Sequence, residues 1–362
     1  MGDERKPKIE PYPGPAGGWG SMKSVKVILQ REKVPIPATV KELWRQNKPR
    51  GFTCVSCAWP QPEHPMKFEF CENGAKASAW ELTSLRTTPE FFAQHTCTEL
   101  LGWSDHDLEQ QGRLTHPLRY DRSTDKYVPC SWDEAFTAIG NELNQLDPKS
   151  VVFYASGRAS LETSYLYALF ARLYGHNNLP DSSNMCHEAT GVALRKSIGS
   201  AVGTVVLDDF AQTDCIFFFG QNAGVTSPRM LHDLQKAAKR GVPIVVFNPL
   251  RERGLERFTN PQSPIEMLAK SETPLATQYL QVRAGGDIAA ITGLCKSLLA
   301  LDDAAQARGD HNLLDHAFIA QHCHGFEEFV AFLVAQSWHD IEAASGLSRE
   351  ALERAAAVYA KA

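Results

Sequence analysis

An α/β fold is what this sequence predicts: a parallel sheet with covering helices, preceded by an irregular cysteine-rich N-terminal segment. Three observations carry that expectation. Short apolar runs at Cys215–Phe219, Val242–Phe247 and Tyr279–Val282 alternate with helical stretches, and parallel strands need such crossovers. The 362 residues, 43% hydrophobic and 22% charged, form a chain long enough to bury a large core and divide into roughly two domains. Five of the nine cysteines fall within residues 51–130, where no regular period is visible.

Residues 1–50 carry 11 Lys+Arg against 5 Asp+Glu, and residues 1–65 hold 10 of the 21 prolines. Pro7, Pro11, Pro13, Pro15 and the Gly17-Gly18 pair describe an extended basic arm over 1–50 with little structure of its own. Its charge is dispersed, which reads as a solvated arm packing on its own protein. Residues 51–130 form the cysteine-bearing segment, and 131–362 the α/β region. The latter opens at Ser131-Trp132-Asp133-Glu134, a serine cap with acids in the first turn. Val151–Ala155 reads as a strand and Leu161–Tyr174 as a helix. The stretch Asp181–Glu188 opens a helix running through Glu188–Ile198. Ser227–Arg240 reads as a helix with Ser227 at the cap and Pro228 in the first turn, ended by Gly241. A helix starts at Asp287, and 310–362 read as three or four more. The last, opening at Ser348, meets Ala362 with no Gly, Asn or Pro stop signal, as in a fragment of a longer chain.

The formal net charge of −5 argues against a nucleic-acid binder. No apolar run approaches the roughly 20 residues of a membrane span. The N-terminus shows no apolar h-region and no Arg-Arg pair, and nine cysteines is an odd number in a large chain. Together these features read as a cytoplasmic protein with metal-binding or catalytic thiols, not a disulfide scaffold.

Three constellations carry chemistry. Cys54 and Cys57 form a C-x2-C in a glycine- and proline-flanked loop, followed by Cys71-Glu72-Asn73-Gly74 and by Cys97. Thiolates at that spacing can share an iron–sulfur cluster or a zinc ion, or bind nothing. Three strand ends each carry small or polar residues: Gly220-Gln221-Asn222-Ala223-Gly224, Asn248-Pro249-Leu250-Arg251 and Arg283-Ala284-Gly285-Gly286-Asp287. Ligands of open parallel sheets bind beyond such carboxyl ends, where glycines admit phosphate to the backbone. Each loop alone is an ordinary β–α turn; the three together point to a nucleotide-like cofactor. No Walker A and no G-x-G-x-x-G is present. Finally, Cys186-His187 sits at a predicted helix start, where a cysteine is largely thiolate and a neighbouring histidine can exchange a proton. Read alone, the pair is equally a structural accident.

The order of these motifs, with Arg113–Leu118 and Ser131–Ala135 between them, resembles the N-terminal half of a molybdopterin oxidoreductase of the formate dehydrogenase alpha-subunit class. Gly51–Cys57 with Cys71–Ala77 is similar to its YdeP-type branch. The resemblance implies parallel-sheet pterin-binding domains and a molybdenum (or tungsten) bis(molybdopterin guanine dinucleotide) centre. It also implies a 4Fe–4S cluster on Cys54 and Cys57, with Cys71 as the third ligand by motif and Cys97 as the alternative, that relays electrons to an electron-transfer partner. The substrate it implies is a small molecule, formate or another redox substrate. Cofactor contacts fall on Gly220, Asn222, Asn248, Gly285, Gly286 and Asp287. Cys186 falls where the family's metal thiolate sits, and His187 where its proton acceptor does. The chain departs from the family's usual pattern at Gln61, in place of the third cluster cysteine. It departs again at Asn73, in place of the lysine of C-x-K-G, and at Asn248-Pro249-Leu250, in place of Asp-Pro-Arg. A reading of a different class is a non-catalytic, zinc-stabilised protein that keeps the fold.

Overall fold

The computed structural model describes residues 12–54, 56–57, 59–63, 69–157, 159–180 and 182–362, with the side chains of 182–185 excepted. Pro7, Pro11 and Asp181 lie outside them. The chain divides into two compact units. One comprises 1–28, 40–78 and 206–362, the other 29–39 and 79–205.

In the first unit, three parallel strands run in the order Gln278–Leu280, Ile244–Phe247, Ile216–Phe219. The central strand is a continuous apolar run, fully buried along its length, as expected where helices cover both faces. Its side chains alternate between the faces. Val245 and Phe247 join Leu280, Val282, Leu294, Ile341 and Leu352 in one core. Ile244 and Val246 join Phe218, Leu231, Leu234, Leu255 and Phe258 in another. Asp287–Arg308, a 22-residue helix ended by Gly309 at φ +76°, and Arg349–Tyr359 cover the first face. Met230–Lys239 covers the second. Four helices follow residue 310, at His316–His322, Phe326–Ala335, Trp338–Ser345 and Arg349–Tyr359, and the Ser348 hydroxyl caps the last. A smaller sheet pairs Ala16–Gly17 with Arg257–Thr259 and that strand with Thr273–Pro274. Gly17 is required there, since a Cβ would lie 2.4 Å from the Thr259 carbonyl oxygen.

The second unit contains the hairpin Leu118–Asp121/Lys126–Pro129 and the helices Trp132–Gln145, Leu161–Tyr174 and Ser182–Ile198. Ser131 and Glu134 form the full reciprocal capping box, with Glu134 N–H donating to Ser131 Oγ at 3.2 Å and Ser131 N–H to Glu134 Oε2 at 2.7 Å.

Several expectations need correction. The 1–50 arm carries two helices, Gly18–Arg31 and Ile36–Arg45, because residues 16–34 hold no proline and the second helix takes Pro37 in its first turn, where proline is tolerated, with no other before Pro49. The 51–130 segment is only partly irregular, with helices at Glu72–Glu81, Pro89–Gln94, Cys97–Leu101 and Asp105–Glu109. Val151–Ala155 forms no strand and pairs with none among the described residues. Its backbone is held instead by Asn178, which accepts from Phe153 N–H at 3.2 Å and donates to Val151 O at 3.0 Å. The helix expected from Ser227 starts at Met230. Ser227 instead ends a separate short helix, Ala223–Thr226, and 227–231 turn through bonds from Met230 N to Ser227 O and Leu231 N to Pro228 O. The helix that the Asp181–Glu188 stretch opens is Ser182–Ile198, so Cys186, expected at its N-terminus, lies in its second turn.

Candidate functional site

Cys54, Cys57 and Cys71 belong to the first unit. A tight reversal delivers Cys54. Asn47 adopts φ +56°, its N–H donates to Phe52 O at 2.7 Å, and Phe52 N–H donates back to Arg45 O at 3.3 Å. Gly51 makes the turn possible, since a Cβ there would lie 1.8 Å from Arg45 O. Cys71 stands immediately before the Glu72–Glu81 helix, its carbonyl accepting from Ala75 N–H at 2.9 Å.

Cys54 and Cys71 are buried and Cys57 is half-buried. Two backbone N–H groups already point at sulfur: Ser56 N to Cys54 Sγ and Gly74 N to Cys71 Sγ, each 3.4 Å. Burial pushes the Cys71 thiol up to about 11, against the pull of the Gly74 N–H; the neighbouring Cys54 and Cys57 push the same way. Burial raises Cys54 as well, opposed by the Ser56 N–H and by the positive Arg229. A Cβ on Gly74 would meet Gln46 Oε1 at 2.8 Å and Cys54 Sγ at 3.1 Å, so glycine keeps this cradle open. Among the described residues, no three His, Cys, Asp or Glu side chains converge as a metal-binding group. The donor set, three thiols of which Cys54 and Cys71 each have an N–H aimed at sulfur, is of the type that ligates a cluster, and loading it would require the sulfurs to deprotonate and draw together. Cys97 lies in the second unit.

The strand-end loops share the first unit. Gly220 follows Phe219 at φ +65° with open space where a Cβ would be, and Gly285 stands likewise at φ +80°. The Gly220 N–H is engaged with Phe247 O at 2.9 Å and the Gly286 N–H with Arg283 O at 2.8 Å. These glycines therefore shape the turns, and neither of these two N–H groups is free for an anion. Gly286 is packed, a Cβ falling 2.7 Å from Ala344 O. Asp287 is the first residue of its helix and is half-buried. Asn248 is buried and clamps two loops together, its Nδ2 donating to Gln221 O at 3.0 Å and its Oδ1 accepting from Leu250 N at 2.9 Å. Asn222 precedes the Ala223–Thr226 helix and lines a cavity of about 420 Å³. Cys71, Glu72, Gly224, Arg253 and Gly254 line the same cavity. The thiol segment and a strand-end loop thus open on one space. Asn73 ties them directly, its Nδ2 donating to Val225 O. Gly224 and Gly254 cross in contact, a Cβ on Gly254 falling 2.5 Å from Gly224 Cα.

Cys186 and His187 lie in the second unit. Both are exposed, in the second turn of Ser182–Ile198 and not at its start. Sequence patterns do not single out Gln46, Asn47, Glu69 or Arg229, which surround the thiols. Asn47 has one legible signal, its place in a Gln-Asn-Lys-Pro-Arg-Gly turn just before the first cysteine; the burial of the others has none.

Residues 113–332 match the molybdopterin oxidoreductase family. Protein YdeP of Escherichia coli K12 is 50% identical over 358 residues, 99% of this chain and 47% of that protein. The chain therefore spans about half the length of that relative. The alpha subunit of F420-dependent formate dehydrogenase 1 of Methanococcus maripaludis is 28% identical over 256 residues, 70% of this chain and 34% of that subunit. Among solved structures, acetylene hydratase from Pelobacter acetylenicus superposes with a TM-score of 0.50 at 22% identity, covering 67% of this chain and 30% of the hydratase; it supports the fold alone. By the family match, which covers more than half of its length, this chain belongs to the molybdopterin oxidoreductase family.

Proposed function

We propose that the chain is the cofactor-binding part of a molybdenum-dependent oxidoreductase of the formate dehydrogenase type, acting in the cytoplasm on a small redox substrate. The observation that carries the reading is the shared cavity of about 420 Å³, where Cys71 and the Asn222–Gly224 loop face one space within one compact unit. In this reading Cys54, Cys57 and Cys71 would hold a 4Fe–4S cluster, which would supply one-electron relay toward a partner. Gly220, Asn222, Asn248, Gly285, Gly286 and Asp287 shape the seat of a molybdopterin guanine dinucleotide. Cys186 supplies the metal's thiolate and His187 accepts a proton beside it. When bound, the pterin centre supplies two-electron redox chemistry.

The chain's own residues provide position and environment. Gly74 leaves room beside Cys54 Sγ. Asn248 fixes the spacing of two strand ends, and Asn73 holds the helix after Cys71 to the Ala223–Thr226 helix at Val225. A cytoplasmic setting agrees with nine unpaired cysteines. No helix among the described residues is long and apolar enough to cross a membrane. The test is spectroscopic. The purified protein should show a broad visible absorbance that bleaches on reduction, and Cys54→Ser or Cys57→Ser should abolish it. An unchanged spectrum in both variants would overturn the cluster assignment.

A further inference from the structure

We infer that Gln46, Asn47, Glu69 and Arg229 form a buried polar hub that positions Cys54, Cys57 and Cys71 as one ligand set, with Arg229 placing a positive charge beside it. The inference rests on the cluster reading above. It starts from hydrogen bonds that join the three cysteine segments through side chains. Asn47 Oδ1 accepts from Cys54 N–H at 2.9 Å, and its Nδ2 donates to Glu69 O at 2.8 Å, two residues before Cys71. Arg229 donates to Trp59 O at 3.2 Å and Pro60 O at 3.1 Å, just after Cys57, and to Glu69 Oε1 at 3.0 Å. Gln46 Nε2 donates to Gly74 O at 3.1 Å and Ser78 Oγ at 2.8 Å, gripping the helix that follows Cys71. Glu69 is the meeting point, its carbonyl taken by Asn47 and its carboxylate by Arg229.

Burial makes this arrangement unusual for a merely structural one. Gln46 and Asn47 are each 1% exposed, and the Arg229 and Glu69 side chains 7% and 11%. Apolar packing commonly serves stability as well as a buried ion pair does. Two hub atoms, Gln46 Oε1 and Arg229 Nε, have no hydrogen-bond partner among the described residues. Gln46 Oε1 and Cys54 Sγ flank the same point, within 2.8 and 3.1 Å of where a Gly74 Cβ would stand. Polar groups and charge around cluster sulfurs tune both retention and potential. A positive charge favours the reduced, more negative cluster, so removing it lowers the potential. None of the four residues is a ligand; they are positioning residues.

The full chain is reconstituted anaerobically with ferrous iron and sulfide, as wild type, Asn47→Ala, Arg229→Gln and Arg229→Lys. Iron per chain, the rate of iron loss to a chelator and the midpoint potential are measured. Asn47→Ala and Arg229→Gln should lose iron about 10–100-fold faster, and Arg229→Gln should also have a more negative potential. Arg229→Lys keeps the charge but not the fork, so it should lose iron faster at a near-wild-type potential. Wild-type retention and potential in Arg229→Gln would overturn the hub. If all three variants fail to fold, the residues are structural and the inference is equally overturned. A wild-type chain that takes up no iron would instead sink the cluster reading on which it rests.

Discussion

At the scale of single residues, Gly74 decides how close the Cys71 helix can come to Cys54. A methyl group there would press on Gln46 Oε1 and Cys54 Sγ, both buried. We expect Gly74→Ala to keep the helix, since alanine is the better helix former by up to about 1 kcal/mol, yet to reduce iron uptake on reconstitution. Uptake equal to wild type would show that the cradle has slack. Cys186 and His187 are exposed on a helix, so neither anchors a core. Cys186→Ala should leave thermal stability unchanged while abolishing turnover of the metal-loaded, full-length enzyme. His187→Gln should slow turnover by roughly 10²–10⁴-fold if the histidine is a general base. Normal turnover in Cys186→Ala would remove the ligand assignment. The exposed pair is visible in the sequence as a dipeptide, but its place in the second turn of the helix and not at the N-terminus is not. Ser182, Ser183 and Asn184 are residue types that suit a loop or a helical first turn alike.

At the scale of elements, Asp302 ties the end of the Asp287–Arg308 helix to the chain at 313–316. It is 2% exposed and accepts from Leu313 N–H at 2.7 Å, Leu314 N–H at 3.0 Å and Gln306 Nε2 at 2.7 Å, with His316 Nε2 at 2.7 Å. Burial pushes its carboxyl up, but these hydrogen bonds outweigh it and hold the group below its ordinary value. A depressed carboxylate contributes stability that is present above the unfolded value, about 3.9, and lost as pH falls through the folded one. Asp302→Asn should therefore be less stable than wild type at neutral pH, by roughly 1–3 kcal/mol, with the gap closing below about pH 4. A constant gap in acid unfolding curves would contradict this.

The same helix contains Gly293, where a Cβ would fall 2.6 Å from Leu352 Cδ1 and 2.9 Å from Ile341 Cγ2. Alanine gains about 1 kcal/mol of helix propensity, but overpacking typically costs about 1–3 kcal/mol. Leu352 and Ile341 are 0% and 3% exposed, with little room to yield. We expect a lower melting temperature for Gly293→Ala; a higher one would mean the neighbours relax. Legibility of elements followed the same physics. Ile244–Phe247 was readable because a strand covered on both faces must be continuously apolar, and the Ser131–Glu134 box because it is a local motif. Val151–Ala155 was not, because strand pairing is decided by a distant partner, and here Asn178 takes that place.

At the scale of the whole molecule, the parallel sheet and its covering helices are legible in the sequence, while the thiol surroundings are not. The cores arise from periodic apolar positions, whereas the hub arises from polar residues more than 150 positions apart, such as Glu69 and Arg229, which leave no local pattern. A second feature of this scale is exposed apolar surface on the helices of the second unit. Trp132 and Phe136 are 64% and 63% exposed, and Leu161, Tyr165 and Leu173 are 87%, 68% and 78%. Patches of this kind favour association, so the isolated chain should self-associate with concentration and bind a hydrophobic dye. A monodisperse, dye-silent sample would contradict that.

The central claim, that this chain houses a molybdenum–pterin centre beside an iron–sulfur cluster, is met most directly by elemental and pterin analysis of the natively purified full-length protein. We predict molybdenum or tungsten with iron and an oxidisable pterin in the same fraction. Zinc alone, with neither iron nor pterin, would contradict the account and identify a zinc-stabilised protein that keeps the fold without its chemistry.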